Sequence, residues 1–311
     1  MNVLFISRSD SGKPHPFIEE QASALIENFG VSIRHFLIRQ GGVIGYIRAA
    51  KQLADYVSEN KPDLLHVHYG LAGLVAVIHK IAFLNRIKFI ITYHGSDINK
   101  VTERQLSLLA ARFAAHNIVV SEKMLKYFKN SCSVVPCGVD TEVELTHRES
   151  TRRAFNWGEN DFIVLFSSNF GRSEKDPAFA FKVIKSFSSI SSRSVKFIEL
   201  KGYSREELTK LMQAADALIM CSSREGSPQV IKEAILNSLP IVSNDVGEVR
   251  SICSNADNCF IVPKKVDEYV KRLQFLSIEK VRIQNRTPVL ERYSNKLISD
   301  KLYNIYSKAL K

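Results

Sequence analysis

Short, nearly continuous apolar runs alternate with longer amphipathic stretches along the chain. In the first half the runs are NVLFIS (2–7), SIRHFLI (32–38), LLHVHY (64–69), KFIITYH (88–94), NIVVS (117–121) and CSVVP (132–136). Between them, apolar residues at helical spacing predict helices over 17–29, 45–58, 71–84, 102–114 and 122–129. The second half repeats the scheme, with strands FIVLFSS (162–168), KFIEL (196–200), ALIMCS (217–222), PIVS (240–243) and CFIVP (259–263). Helices are predicted there over 177–188, 204–214 and 228–238. Apolar runs without alternation belong to strands covered on both faces, and covered strands joined by helices are parallel. The stretch GVDTEVELTHRESTRRAFNWGEND (138–161) is polar and aperiodic and reads as a linker ending near residue 155. The fold class is therefore α/β, two Rossmann-like doubly wound domains, 1–150 and 151–290, facing a shared cleft.

Ligands of such sheets bind beyond the carboxyl ends of the strands. The exits to inspect are Ser7–Lys13, His68–Gly70, His94–Asp97, the loop NFGRSEK (169–175) and the loop REGSPQ (224–229).

Composition narrows the class. At 311 residues, 45% hydrophobic and 24% charged, the chain has material for one large or two ordinary globular cores. The most apolar region, 70–93, is interrupted by His79, Lys80, Arg86 and Lys88, so no membrane span is expected. With no basic n-region and no cleavage site before the first strand, no signal peptide is expected. The five cysteines lack C-x-x-C spacing, and free thiols in a reducing cytoplasm are expected. Net charge is +11, and residues 263–311 hold twelve Lys/Arg against five Asp/Glu, about +7. That segment suits an anionic partner, and an anionic membrane surface on the inner face is a candidate. Its apolar positions Leu297, Leu302, Ile305, Tyr306 and Leu310 form a helical stripe, and a solvated basic helix is the ordinary alternative. No aromatic-basic interleaving supports nucleic acid.

The exits carry chemistry. Arg172 and Lys175 sit on a Gly-containing loop between a strand and a helix, where a cation pair suits a diphosphate. Ser227 reads as an N-cap and Pro228 as the first helical residue, so the backbone from Gly226 through Gln229 to Val230 offers N–H groups to an anion. Glu225 and Glu233 lie eight residues apart with no local basic partner, and a carboxylate can accept two hydrogen bonds from vicinal hydroxyls. Each feature alone has an ordinary reading: a solvated loop, a dipole-stabilising Glu, a surface carboxylate. Together they describe a nucleotide diphosphate-sugar, with one carboxylate for each sugar.

The segments EGSPQVIKE and LPIVSNDVGEV resemble the Glu-x7-Glu region of retaining GT-B glycosyltransferases of the family 4 type, also called glycosyl transferases group 1. VVPCGVD (134–140) is similar to that family's VVPNGVD, with Cys137 in place of Asn, and PDLLHVHYG and TYHGSD are similar to its N-domain strand exits. The resemblance implies transfer of a sugar, with retention, to a hydroxyl acceptor such as a growing polysaccharide or lipid-linked glycan. It implies that Arg172 and Lys175 neutralise the donor diphosphate, that Glu233 holds the ribose and Glu225 the transferred sugar, and that Ser227–Val230 cradle the phosphates. His94 would approach the transferred sugar. Gly12 matches the family's Gly-Gly loop after the first strand, here SRSDSGKPHP. Residues 291–311 would form a closing helix on the N-domain. His66 and His68 alternate on one strand and read as packing or as a wall of the site. No D-x-D motif and no Cys/His cluster occurs, so no metal and no cofactor is expected, and cationic side chains carry the electrostatics. A nucleotide-sugar epimerase of the same fold and a non-catalytic sugar-nucleotide binder remain alternatives. A dinucleotide-binding oxidoreductase would need a G-x-G-x-x-G that neither half has.

Overall fold

A computed structural model describes residues 1–128 and 132–311. Strands β1 (Asn2–Arg8), β2 (Ser32–Ile38), β3 (Leu64–His68), β4 (Lys88–Tyr93), β5 (His116–Val119) and β6 (Cys132–Val134) form one parallel sheet in the order β2-β1-β3-β4-β5-β6. Strands β7 (Asp161–Phe166), β8 (Ser194–Glu199), β9 (Ala217–Met220), β10 (Ile241–Ser243) and β11 (Cys259–Ile261) form a second, in the order β11-β10-β9-β7-β8. The lack of alternation in the apolar runs has its cause here: Val3, Leu4, Phe5 and Ile6 are all buried, as are Phe162 to Phe166.

The chain divides into two compact units, Met1–Val139 with Tyr293–Lys311, and Asp140–Arg292. In the first, the final helix Asn295–Leu310 lies against helix Pro16–Phe29. Its Ile298, Leu302 and Tyr306 are buried with Val3, Phe5, Ile18 and Leu25, and Tyr303 stacks on Phe29 at 4.2 Å. Most of the C-terminal apolar stripe is thus occupied by the chain's own core.

Several elements differ from the sequence expectation. Residues 122–129 do not form an α-helix; Glu122–Tyr127 is a 3-10 helix, and Lys129 lies outside the described residues. The supposed linker contains helix Arg148–Ala154. Its inner face is made by charge. Arg148 donates to the carbonyls of Gln213, Ala214 and Ala215 and to the Asp216 carboxylate, and Arg152, one turn on, donates to Ala214 and Asp216. These carbonyls end helix Arg205–Ala214, where no further turn supplies N–H partners. A helix held by guanidinium groups has no apolar period to read. Helices Val266–Glu279 and Thr287–Tyr293 were likewise not expected.

In each sheet the chain turns outward in both directions from its first strand. The connections after β1 and β3 therefore diverge, as do those after β7 and β9. These are the two topological switch points, where a parallel sheet opens a crevice at its carboxyl edge.

Candidate functional site

The switch point of the second unit gathers most of the residues picked from sequence. After β7 the chain makes a 3-10 turn at Ser173–Lys175, and Asp176, at φ 54°, caps helix Pro177–Ser188 by accepting from the Phe179 N–H at 3.1 Å. After β9 it runs through 221–228 into helix Gln229–Leu236. The two loops are tied together, since Ser223 donates to the Glu174 carbonyl from both its backbone N–H and its hydroxyl. Lys175 is buried, and its Nζ lies 2.5 Å from Glu225 Oε1. Arg172 is half exposed and holds the Glu174 carboxylate through Nε and a terminal nitrogen at 2.7 and 2.6 Å.

The carboxylates are therefore not without cations. Glu225 has Lys175, 50 residues away in sequence, and Glu233 accepts from Arg205, 28 residues away. Local spacing does not encode these partners, because the fold brings them from distant parts of the sequence. The helix start also differs from the reading. Pro228 occupies the N-cap position and the helix begins at Gln229, so the Ser227 hydroxyl caps nothing. The hydroxyls of Ser227, Ser167 and Ser222 are instead buried without a partner, all on the loops leaving β7 and β9. A buried hydroxyl without a hydrogen bond costs about 1–3 kcal/mol, and three at one crevice fit a polar ligand. The backbone N–H groups of Gln229, Val230 and Ile231, in the first turn, have no acceptor within the helix.

Two further residues were missed. Gly247, on the loop after β10, has φ 56°, and a Cβ there would stand 2.5 Å from the Gly226 carbonyl oxygen and 2.8 Å from Glu225 Cβ. The Glu248 N–H donates to that same carbonyl at 3.0 Å. Loop 244–248 is thus a backbone support for Glu225 and Gly226, and only its closeness to a motif hinted at it. Lys232 is fully buried on the helix and donates to Gln229 Oε1 at 2.9 Å.

Gly12 and His94 lie in the first unit, on exits around its own switch point. Gly12 has φ 82°, and a Cβ there would run into the Arg39 guanidinium. His94 is half-buried. Its Nε2 is 3.2 Å from His68 Nδ1, its Nδ1 is 3.6 Å from Cys137 Sγ, and Phe17 and Tyr69 pack on the ring with centroids at 4.9 and 4.6 Å. Burial, and then the nearby His15, hold its pKa down to about 3, so the ring is neutral at physiological pH. Tyr69 sits at φ 73°, a conformation that strains a residue with a side chain. His66 and His68 are both fully buried, and His66 bridges Tyr306 and Thr92 at 2.6 and 2.7 Å. Asp97, also missed, is buried beneath this exit and accepts from the Gly70 and Gly95 N–H groups at 2.8 and 2.9 Å. Burial raises its pKa to about 6 against the pull of those backbone groups. Among the described residues no group of three or more His, Cys, Asp or Glu is arranged to hold a metal, and no helix is long and apolar enough to cross a membrane.

Two parallel, doubly wound units of six and five strands make this the fold of the GT-B glycosyltransferases. Anabaena Alr3699/HepE, solved in complex with UDP-glucose, superposes with a TM-score of 0.74 at 17% identity, covering 99% of this chain and 100% of that one. The chain belongs to the family 4 glycosyltransferases, glycosyl transferases group 1: the first half, residues 2–143, matches the model of Glycosyltransferase Family 4, and residues 194–287 match that of Glycosyl transferases group 1. TuaC of Bacillus subtilis (strain 168), named as a teichuronic acid biosynthesis glycosyltransferase, is 23% identical over 235 residues, 65% of this chain. N-acetyl-alpha-D-glucosaminyl L-malate synthase of Bacillus anthracis is 20% identical over 249 residues, 68% of this chain. The matches span 58% and 64% of the lengths of those two relatives.

Proposed function

We propose that the protein transfers a sugar from a nucleotide diphosphate-sugar to a hydroxyl of a growing polysaccharide or lipid-linked glycan, with retention and without a metal. The observation that carries this reading is the buried Lys175–Glu225 pair beside the start of helix Gln229–Leu236, with three unpartnered hydroxyls on the same two loops. An ammonium has three donors, so Lys175 can hold Glu225 and still meet a phosphate oxygen. Arg172 shares that charge, and the backbone of Ser227–Val230 receives the phosphates. Glu225 then lies where the sugar joins the diphosphate, and Glu233, about one turn into the helix with Arg205 fixing it, takes the ribose hydroxyls. When the anomeric C–O bond breaks, charge builds on the departing diphosphate, and these fixed cations stabilise it more than they stabilise the bound donor. His94 is assigned to the transferred sugar. The relative named for teichuronic acid biosynthesis supports a glycan acceptor. Contact with an anionic membrane surface has less to recommend it, because the stripe that would enter lipid is in the first unit's core.

The test is a thermal-shift screen of nucleotide sugars, followed by turnover with a hydroxyl acceptor and assignment of the product's anomeric configuration by NMR. A retained linkage, formed equally well in EDTA, is expected. An inverted product, or activity abolished by EDTA and restored by magnesium or manganese, would overturn the mechanism. Isomerised sugar from donor alone would replace the transferase reading with an epimerase.

A further inference from the structure

Three side chains of the first unit form a linear chain: His68 Nδ1 to His94 Nε2 at 3.2 Å, and His94 Nδ1 to Cys137 Sγ at 3.6 Å. The far end is closed differently. His68 is fully buried, and its Nε2 has no hydrogen-bond partner. This asymmetry decides where the protons sit. Each neutral imidazole carries one N–H. If His94 donated from Nε2, His68 would have to accept at Nδ1 and would bury its own N–H at Nε2 with nothing to bond. Buried N–H groups without an acceptor are rarer than under-used acceptors. If His68 donates from Nδ1, the orphan is a bare lone pair, and His94 must carry its proton on Nδ1.

We infer that His68 is a positioning residue that fixes His94 as the Nδ1–H tautomer, and that Cys137 is the weak acceptor from which this N–H is handed to an oxygen of the transferred sugar. The inference rests on the role proposed for His94. Several features of the pocket serve it. Phe17 and Tyr69 pack on the ring and restrict its rotation. His66 cannot compete for the chain, because Tyr306 and Thr92 occupy both its nitrogens. Burial, and secondarily the neighbouring histidines, hold His68 far below its ordinary pKa, which keeps it a neutral one-proton donor. Sulfur is a weak acceptor, so leaving it costs the Nδ1–H less than leaving a carbonyl or carboxylate oxygen. An Asn at position 137 could offer a stronger acceptor and hold that proton more firmly.

The experiment is selective 15N labelling of histidine with long-range 1H–15N correlation, the His94 signals being assigned by their loss in His94→Gln. Nδ1 of His94 should be protonated in the unmodified chain and in His68→Asn, whose amide N–H reaches about the place of the lost Nδ1–H. In His68→Leu the proton should move, wholly or partly, to Nε2. With donor and acceptor, His68→Leu should lower kcat by about tenfold or more, as expected for an imidazole in the wrong tautomer, with the donor KM within about threefold. His68→Asn should recover most of that loss. An Nε2-protonated His94 in the unmodified chain, or full kcat in a folded His68→Leu variant, would overturn the inference. The protonation state is read without turnover, so a chain that transfers no sugar would count against the proposed function and leave this test standing.

Discussion

Lys175 and Glu225 cannot be probed as independent residues, because each is the other's buried counter-charge. Truncating Lys175 leaves a carboxylate with little solvent, a change that typically costs about 3–5 kcal/mol of stability. The cleaner variant is Glu225→Gln. It keeps shape and a hydrogen bond to Nζ while releasing the lysine's charge to the diphosphate. Calorimetry should find free nucleoside diphosphate bound more tightly, by a factor of about ten per 1.4 kcal/mol of charge released, while turnover falls because the sugar has lost its acceptor pair. Weaker diphosphate binding would remove Lys175 from the phosphate site. A second residue-scale consequence concerns pH. His66 and His94 are held down to about 3 by burial, and His68 is likewise held well below an ordinary imidazole, whereas Asp97 is raised to about 6. Between about pH 6.5 and 4 the unfolded chain protonates all three histidines and the native one does not, so stability falls on acidification. Each histidine contributes a slope of about 1.4 kcal/mol per pH unit there. Asp97 works in the opposite sense, binding its proton in the native state below about pH 6, and offsets one of the three. Denaturant titrations of Asp97→Asn should therefore show a steeper loss from pH 6 to 4 than the unmodified chain, and an equal slope would refute the assignment.

At the scale of elements, the loop after β10 is where a small change should reach the site. Gly247→Ala must accommodate φ 56° and a methyl against the Gly226 carbonyl, whereas Gly30, at φ 61°, has nothing within 4 Å of a Cβ. Gly30→Ala should show only the backbone penalty, about 1 kcal/mol. Gly247→Ala should cost more and also lower turnover, because Glu225 moves with its neighbour. Equal stability losses in the two variants, by chemical denaturation, would mean that the loops do not press on each other. The same scale shows what the sequence could reveal. Both sheets and most of their covering helices were legible, because strands buried on two faces and helices buried on one leave different periods in the apolar residues. Helix Arg148–Ala154 was not, since it docks by guanidinium bonds to carbonyls. The 3-10 helix at Glu122–Tyr127 was mistaken for an α-helix because one or two turns do not distinguish the two periods. At the site, residue types and strand exits could be read from the motifs. The pairs Lys175–Glu225 and Arg205–Glu233, and the support from Gly247, depend on which strands are neighbours, and no local spacing encodes that.

For the whole molecule, the final helix belongs to the unit that begins the chain. Val139 and the segment Tyr293–Asn295 are joined by reciprocal backbone bonds of 2.8 and 3.0 Å. Ending the chain at residue 294 would remove Ile298, Leu302 and Tyr306 from the first core. At roughly 1.5–3 kcal/mol per buried side chain this approaches the net stability of a typical domain. Hydrogen exchange should then show lost protection in β1 and β3, with Asp140–Arg292 retaining its own. Uniform loss in both units would mean that they do not unfold separately. The same discontinuity has a consequence for synthesis. Val3 and Phe5 are made before the second unit, yet the helix that covers them comes after everything in Asp140–Arg292. At about 5–20 residues per second, those roughly 150 intervening residues take about 8–30 s to translate. During that interval the nascent first sheet has only helix Pro16–Phe29 on that apolar face and His66 waits for Tyr306, while the second unit can close as soon as its last residue emerges. Of the two units, the one begun first is finished last, and apolar surface exposed during such an interval is what chaperones exist to shield.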